Sequence, residues 1–282
     1  MRATVAALVL VSLAVGLGSA WADRSQRTNG LVSFGACCGS DVVGIYTIDQ
    51  DGSNEQRIFH PKFDDAPLAS AWSPSGTRVA FVAPGGLWTM STSGQQRRRL
   101  TKGNGDTLAP SWSPDGKQIA FVDRVTPHGS NYALYVIGRT GKGLKRIVGG
   151  ARYQNNPTWS PSGKLIMFER GNMLWTVKPN GRGQKRLVPG TSPSWSPDGK
   201  NVAFSRNGDL WTMKAGGAGA RKIDDVPSST AGIAWSPDGR WIAYAIADRG
   251  DVMLVHPDGT GATQLTDEAD LFHSEPAWQP KR

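Results

Sequence analysis

Cysteine is nearly absent from the sequence, and so are long apolar runs. The two cysteines, Cys37 and Cys38, are adjacent. Neighbouring cysteines can bond to each other only through a strained ring, so a disulfide network does not hold the fold together. The sequence leaves open whether the two form this ring, stay reduced or pair between chains. After the first 22 residues no stretch is long and apolar enough to span a bilayer, so we predict a protein without membrane spans.

The sequence patterns of common catalytic sites are also missing. It contains no Gly-x-Ser-x-Gly elbow, no His-Glu-x-x-His, no Walker loop and no Cys-x-x-Cys. The four histidines are His60, His128, His256 and His273, and no metal-ligand spacing connects them. We therefore predict no catalytic residue, no metal ligand and no cofactor.

The N-terminus has the pattern of a secretory signal peptide. Arg2 gives a basic start, an apolar run covers residues 3–18, and Ala20-Trp21-Ala22 provides the small-x-small cleavage pattern. We predict cleavage after Ala22, with an uncleaved N-terminal anchor as the alternative. Cleavage would give an exported protein, periplasmic where an outer membrane exists and otherwise secreted or associated with the cell wall.

Glycine and proline are abundant, with 35 and 18 residues, and little amphipathic helical periodicity is present. This composition favours many short strands joined by tight turns. The formal net charge of +9 concerns solubility and anionic partners rather than the fold.

One phrase, a tryptophan followed by Ser-Pro-Asp/Ser-Gly, recurs along the chain. Its copies occupy residues 71–76, 111–116, 158–163, 194–199 and 234–239, and a truncated copy at 277–280. The tryptophans are 36 to 47 residues apart. A period of about 40 residues indicates a solenoid, a propeller or an array.

The phrase and its surroundings predict four short strands in each repeat. Ser-Pro-Asp-Gly suits a type I turn, with proline at the second position and glycine at the fourth. An apolar run such as Val79–Val82 follows each turn, and a second phrase such as Leu87-Trp88-Thr89-Met90 follows that run. A glycine-rich turn and a basic strand such as Arg97–Leu100 complete the unit. Two hairpins of this kind make a propeller blade.

The repeats predict an all-β fold, a six-bladed β-propeller of four-stranded blades. The second phrase occurs six times, whereas the last copy of the first phrase is cut short at residue 280. Leu31–Phe34 has the apolar content that should follow that copy, so we predict that the C-terminal strand pairs with the N-terminal blade. We assign 1–22 to the signal peptide, 23–29 to a short N-terminal segment and 30–282 to the propeller.

The regular tryptophans are predicted to pack between adjacent blades. Burial of a tryptophan removes about 150–250 Å² from water. An aromatic sugar-binding platform, the alternative, would not require one tryptophan at the same point of every repeat.

Trp-Ser-Pro-Asp-Gly followed by Lys or Arg and Ile-Ala-Phe resembles the WD40-like PD40 repeat of the TolB-like propellers. The resemblance covers roughly residues 30–282, and Leu-Trp-Thr-Met and Lys-Arg-Leu match the second half of that repeat. The α/β domain that precedes the propeller in this family has no counterpart in the sequence, so the resemblance concerns the propeller portion only. It implies a non-catalytic, monomeric interaction module of the cell envelope that binds a protein or peptide.

The two faces of the predicted ring differ in charge. The Ser-Pro turns and the glycine-rich turns share one face, the turn face. The connections between blades and the remaining hairpin loops share the other, the variable-loop face. Functional residues concentrate on such loops. The connections carry nine acids against three bases, and we predict seven of the acids as partner contacts. These are Asp64, Asp65, Asp106, Asp224, Asp225, Asp270 and Glu275.

Two other functions remain open at this point. A small-molecule or polysaccharide lyase or hydrolase would hold a metal at the channel mouth, where His60, Asp106, Asn156 and His273 are conceivable ligands. Basic outer strands, for example Lys185-Arg186, would attract an anionic wall polymer, although Lys and Arg also protect strand edges from aggregation. Because the basic residues encircle the ring and the protein is predicted to be exported, we expect no nucleic-acid partner.

Overall fold

The computed structural model describes residues 29–37, 44–59, 69–83, 85–102, 107–126, 131–149, 154–224, 230–266 and 272–280. These residues form 24 β-strands in six antiparallel sheets of four strands, which are the six blades. The signal-peptide prediction for 1–22, most of the 23–29 segment and the pairing state of Cys38 lie outside this part of the chain. No helix in the described ranges is long and apolar enough to cross a membrane.

Each blade is a four-stranded meander that runs from the centre of the ring outward. Blade 1 contains, in this order, β24 (Phe272–Trp278), β1 (Val32–Cys37), β2 (Gly44–Ile48) and β3 (Gln56–Phe59). Blade 2 contains β4 (Ser70–Trp72), β5 (Arg78–Ala83), β6 (Gly86–Ser91) and β7 (Arg98–Arg99). Blade 3 contains β8 (Leu108–Trp112), β9 (Gln118–Arg124), β10 (Tyr132–Gly138) and β11 (Lys145–Val148).

The other three blades repeat this order without a crossover. Blade 4 contains β12 (Gln154–Trp159), β13 (Ile166–Arg170), β14 (Met173–Val177) and β15 (Lys185–Pro189). Blade 5 contains β16 (Thr191–Trp195), β17 (Asn201–Arg206), β18 (Asp209–Lys214) and β19 (Arg221–Asp224). Blade 6 contains β20 (Thr230–Trp235), β21 (Ile242–Ile246), β22 (Asp251–Val255) and β23 (Thr263–Gln264).

The predicted closure of the ring is confirmed. Strand β24 pairs antiparallel with β1, with Trp278 opposite Val32 and His273 opposite Ala36. The innermost strands also contact one another in ring order, with β24 between β20 and β4. The two ends of the chain thus share blade 1, and the sheet has no open end of the kind that a solenoid must cap.

The Ser-Pro turns form as predicted. In all five complete copies the glycine N–H donates to the serine carbonyl at 2.8 or 2.9 Å. In the copies with aspartate, the serine hydroxyl donates to the carboxylate at 2.6 Å, as Ser196 does to Asp198. This hydrogen bond, together with a second from the Lys200 backbone N–H, lowers the pKa of Asp198.

The repeated tryptophans pack in the seams, by which we mean the interfaces between consecutive blades. The indole N–H of Trp112 donates to the carbonyl of Ala71 in the preceding blade at 3.1 Å, and that of Trp278 donates to Ala234 at 3.1 Å. Both rings are 7% exposed. Packing between blades, rather than a sugar platform, is therefore their role.

Basic side chains of the outermost strands also join neighbouring blades. Arg98 donates to the carbonyl of Thr140 at 2.9 Å, and Arg221 donates to that of Pro257 at 3.0 Å. The ammonium group of Lys145 donates to the carbonyl of Asn180 at 3.4 Å. In each case the acceptor lies in a glycine-rich turn of the next blade. Part of the basic charge that the sequence places on outer edges therefore stabilises the ring.

Candidate binding site in the central channel

The innermost strands bulge at one repeated position, three residues before the tryptophan. The backbone there has positive φ in five blades, at Ala109, Asn156, Ser192, Gly232 and Glu275. The strand register shifts at each bulge. A proline follows four of the five, and it cannot donate to the ladder. A bulge of this kind redirects a side chain, and in this propeller all five residues line the central channel. We call them the channel ring.

A cavity of about 500 Å³ extends from the channel ring to the Ser-Pro turns. The six repeated tryptophans and the prolines Pro161, Pro197, Pro237 and Pro280 line it, together with polar residues such as Ser111 and Ser194. The only ionisable side chain lining it, within the described residues, is Glu275. A single carboxyl group thus faces an otherwise uncharged cavity.

A second carboxyl group, that of Glu169, accepts hydrogen bonds from two residues of the channel ring. Glu169 lies on β13 and is 7% exposed. Its Oε1 accepts a hydrogen bond from Asn156 Nδ2 at 2.6 Å and another from the backbone N–H of Ser192. Burial raises the pKa of Glu169, and these two hydrogen bonds oppose the rise. Glu169 therefore fixes the adjoining bulges of blades 4 and 5.

The pKa of Glu275 is raised by its burial and by the charge of Glu169. Glu275 belongs to blade 1, which lies opposite blade 4 in a ring of six. Burial, and then the charge of Glu169, raise the pKa of Glu275 from its ordinary 4.5 to about 7. Near neutral pH the Glu275 carboxyl is therefore about half protonated. A cation beside Glu275 would favour its ionised form.

Of the seven acids predicted as partner contacts, the structure describes two. Glu275 lies within β24 and not in a blade connection, because pairing with β1 already begins at Phe272. Asp224 ends β19 opposite Leu210, on the variable-loop side of blade 5. Asp64, Asp65, Asp106, Asp225 and Asp270 lie outside the described residues, so their contribution stays a prediction.

Sequence reasoning missed Glu169 as a functional residue. Its register position, opposite Leu174, corresponds to Val82, Val122, Ser205 and Ala245 in other blades. A charged residue at an otherwise apolar or small position was the sequence signal that could have identified Glu169. A second signal of the channel site was the hydrophilic residue followed by proline three positions before a repeated tryptophan, as at Asn156, Ser192 and Glu275.

In the described part of the chain, no three His, Cys, Asp or Glu side chains lie close enough together to hold a metal ion. These residues therefore provide no ligand set for the metal-enzyme alternative. Asn156, one of the conceivable ligands, donates to Glu169. His60 and Asp106 lie in undescribed segments, and His273 is placed only as a residue of β24.

The family described as "TolB beta propeller domain" (PD40) matches residues 39–282. The chain belongs to the TolB-like β-propeller family. No curated protein matches its sequence significantly. Among solved structures, TolB from Acinetobacter baumannii superposes with a TM-score of 0.76 at 21% identity, over 89% of this chain and 67% of that one. The structure described as putative TolB from Agrobacterium tumefaciens superposes with a TM-score of 0.67 at 20% identity, over 90% of this chain and 99% of that one.

An oligogalacturonate lyase in complex with manganese is a weaker match to this TolB-like propeller. Its TM-score is 0.56 at 11% identity, over 78% of this chain and 70% of that one. At such identities the likeness to any of the three structures establishes the fold alone. The enzyme alternative is accordingly not favoured by the comparisons.

Proposed function

We propose that this TolB-like propeller is an exported, non-catalytic interaction module of the cell envelope. It binds a basic segment of a partner protein on the variable-loop face, and a lysine or arginine of that segment reaches Glu275 at the channel ring. The observation that carries the proposal is the position of Glu275, the one ionisable side chain among the described residues that lines the cavity of about 500 Å³, with a pKa that burial and the charge of Glu169 raise to about 7.

The electrostatics of the pair favour a cationic ligand. A cation beside Glu275 is attracted by its carboxylate and by the nearby charge of Glu169, and it offsets the cost of burying the Glu275 charge. The acids predicted on the surrounding connections would steer a basic segment toward the channel mouth.

Binding should depend on pH in a defined direction. The ionised form of Glu275 binds the cation, and about half of the free protein carries the protonated form at pH 7. The affinity is therefore expected to rise between about pH 6 and pH 8 and then level off, with a proton released on binding.

A capture experiment tests the proposal. The immobilised protein is exposed to a solubilised envelope fraction at pH 8, and the retained proteins are identified by mass spectrometry. We expect Glu275→Gln to weaken retention of one specific protein. Glu55→Gln, which removes the same charge on the turn face, should not. Thermal unfolding verifies that both variants are folded.

Charge reversal tests the choice of face. Asp64→Lys, Asp65→Lys and Asp106→Lys in one variant should abolish capture of that protein. Asp51→Lys, Glu55→Lys and Asp258→Lys, which change the charge equally on the turn face, should preserve it. Unchanged capture by the first variant would show that the variable-loop face is not the binding face. Stoichiometric manganese, calcium or zinc in the purified protein would instead favour the enzyme alternative.

A further inference from the structure

A second, smaller pocket of about 260 Å³ opens on the turn face, at the end of the seam between blades 5 and 6. Asn201, Lys214 and Arg221 line it from blade 5, and Trp235 and Pro257 line it from blade 6. No acidic side chain of the described residues lines it. The pocket therefore brings two cations together without a counter-ion in its wall.

Hydrogen bonds hold the polar groups of this pocket in place. Lys214 Nζ lies 3.3 Å from Asn201 Oδ1, to which it donates. Arg221 donates one guanidinium N–H to the carbonyl of Pro257 at 3.0 Å. A guanidinium has five N–H donors and an ammonium has three, so each cation keeps donors for a ligand. The amide of Asn201 adds two more.

The other blades show what usually fills this position. The residue six places after the repeated tryptophan is Arg78, Gln118, Leu165 or Trp241 where blade 5 has Asn201. Arg78 donates to Thr89 at 3.2 Å, and Trp241 stacks on His256 with ring centroids 3.9 Å apart. In blade 4, Leu165 stands with Lys178 and Lys185, which correspond by register to Lys214 and Arg221. Among these five blades, only blade 5 combines both cations with a short polar side chain.

We propose that this pocket binds a phosphate group. Ammonium, guanidinium and amide donors approach from three residues, which suits a tetrahedral anion with several acceptor oxygens better than a carboxylate with two. The pocket lies on the face opposite the proposed partner surface, so the two proposals stand or fall separately.

Titration with inorganic phosphate, followed by calorimetry at constant ionic strength, tests the site. We expect saturable binding at one site per chain. Arg221→Gln and, separately, Asn201→Leu should each weaken it about tenfold or more, because the first removes a charge-assisted donor and the second replaces the amide donors with an apolar group of nearly the same shape. The control is the double variant Lys178→Gln, Lys185→Gln, which removes the equivalent cations of blade 4 and should bind normally.

Asn201→Leu separates a shaped site from general charge attraction, since it keeps both cations. If that variant binds as well as the unmodified protein, or if the blade 4 control loses binding equally, the proposal is wrong. Absence of saturable binding to the unmodified protein overturns it as well. Thermal unfolding confirms that each variant is folded, and Lys214→Gln, at an exposed side chain, provides a second loss-of-charge variant.

Two esters distinguish the sources of the phosphate group. Glycerol 3-phosphate represents a free monoester, and dimethyl phosphate represents the diester of a phosphate-linked polymer. Binding of either, with loss in Asn201→Leu, supports the site and identifies its source. Binding of neither ester, with inorganic phosphate also unbound, contradicts it.

Discussion

Positive backbone φ separates two kinds of residue in this propeller. In the Ser-Pro turns it falls on glycine, which adopts this conformation without steric cost, as at Gly199 with φ of 69°. In the channel ring it falls on alanine, asparagine, serine and glutamate, for which the left-handed region costs about 1–2 kcal/mol per residue. Such strain tends to gather at functional sites. Four of the eight non-glycine residues with positive φ in the described ranges lie in the channel ring, and the other four, Asn54, Gln96, Asn172 and Asn207, lie in hairpin turns.

The turn glycines give a prediction for a single residue. Gly199→Ala should lower the free energy of unfolding by about 1–2 kcal/mol, because alanine is strained at this φ. The added Cβ would approach Pro161 no closer than 3.6 Å, so strain rather than a clash is the cause. Urea unfolding measures the change.

Gly216→Ala is the matched control, because Gly216 lacks positive φ and a Cβ there would meet nothing within 4 Å. It should be neutral or slightly stabilising. Equal effects of the two substitutions would show that turn strain is not the cause.

At the scale of the element, sequence patterns predicted the strands because each strand has its own local signal. Apolar runs such as Val79–Val82, the second phrase and the turn chemistry are all contained in a few neighbouring residues. The closure of the ring could also be predicted from the sequence, since the truncated last repeat and Leu31–Phe34 complement each other. The bulges of the innermost strands could not be predicted, because a register shift depends on the partner strand and on how the channel is filled.

Strand β24 gives the prediction at this scale. Deletion of residues 277–282 removes Trp278 and its partner contact with Val32, and it should destabilise the whole ring rather than blade 1 alone. Loss of one buried tryptophan costs about 3–5 kcal/mol, and the lost strand pairing adds to this. Thermal unfolding should show one transition at a much lower temperature.

Deletion of residues 281–282 alone is the control for this truncation and should leave the unfolding temperature unchanged. If the protein that lacks residues 277–282 unfolded at the normal temperature, the closing strand would contribute little to the stability of the ring.

At the scale of the whole molecule, ring closure brings together residues that no local pattern connects. Glu275 was selected from the sequence for its charge but was expected in a surface connection. Glu169 was overlooked because it directly follows the apolar run Ile166–Phe168. Its charge acts on Glu275 only because blades 1 and 4 belong to one closed ring of six. A candidate site of this kind depends on the global arrangement, whereas each blade depends on local sequence.

The raised pKa of Glu275 in the central channel is the central claim, and the pH dependence of stability tests it most directly. The pKa of Glu275 is raised to about 7 in the folded protein from 4.5, so the folded state holds the proton more tightly than the unfolded state. The resulting stabilisation is complete below pH 4.5 and disappears as pH rises through 7.

The measurement is the free energy of unfolding in urea between about pH 5 and pH 8, for the unmodified protein and for Glu275→Gln. The account predicts that the unmodified protein loses about 1–3 kcal/mol more than the variant over this interval, since the glutamine cannot ionise. Parallel stability curves for the two proteins would contradict it.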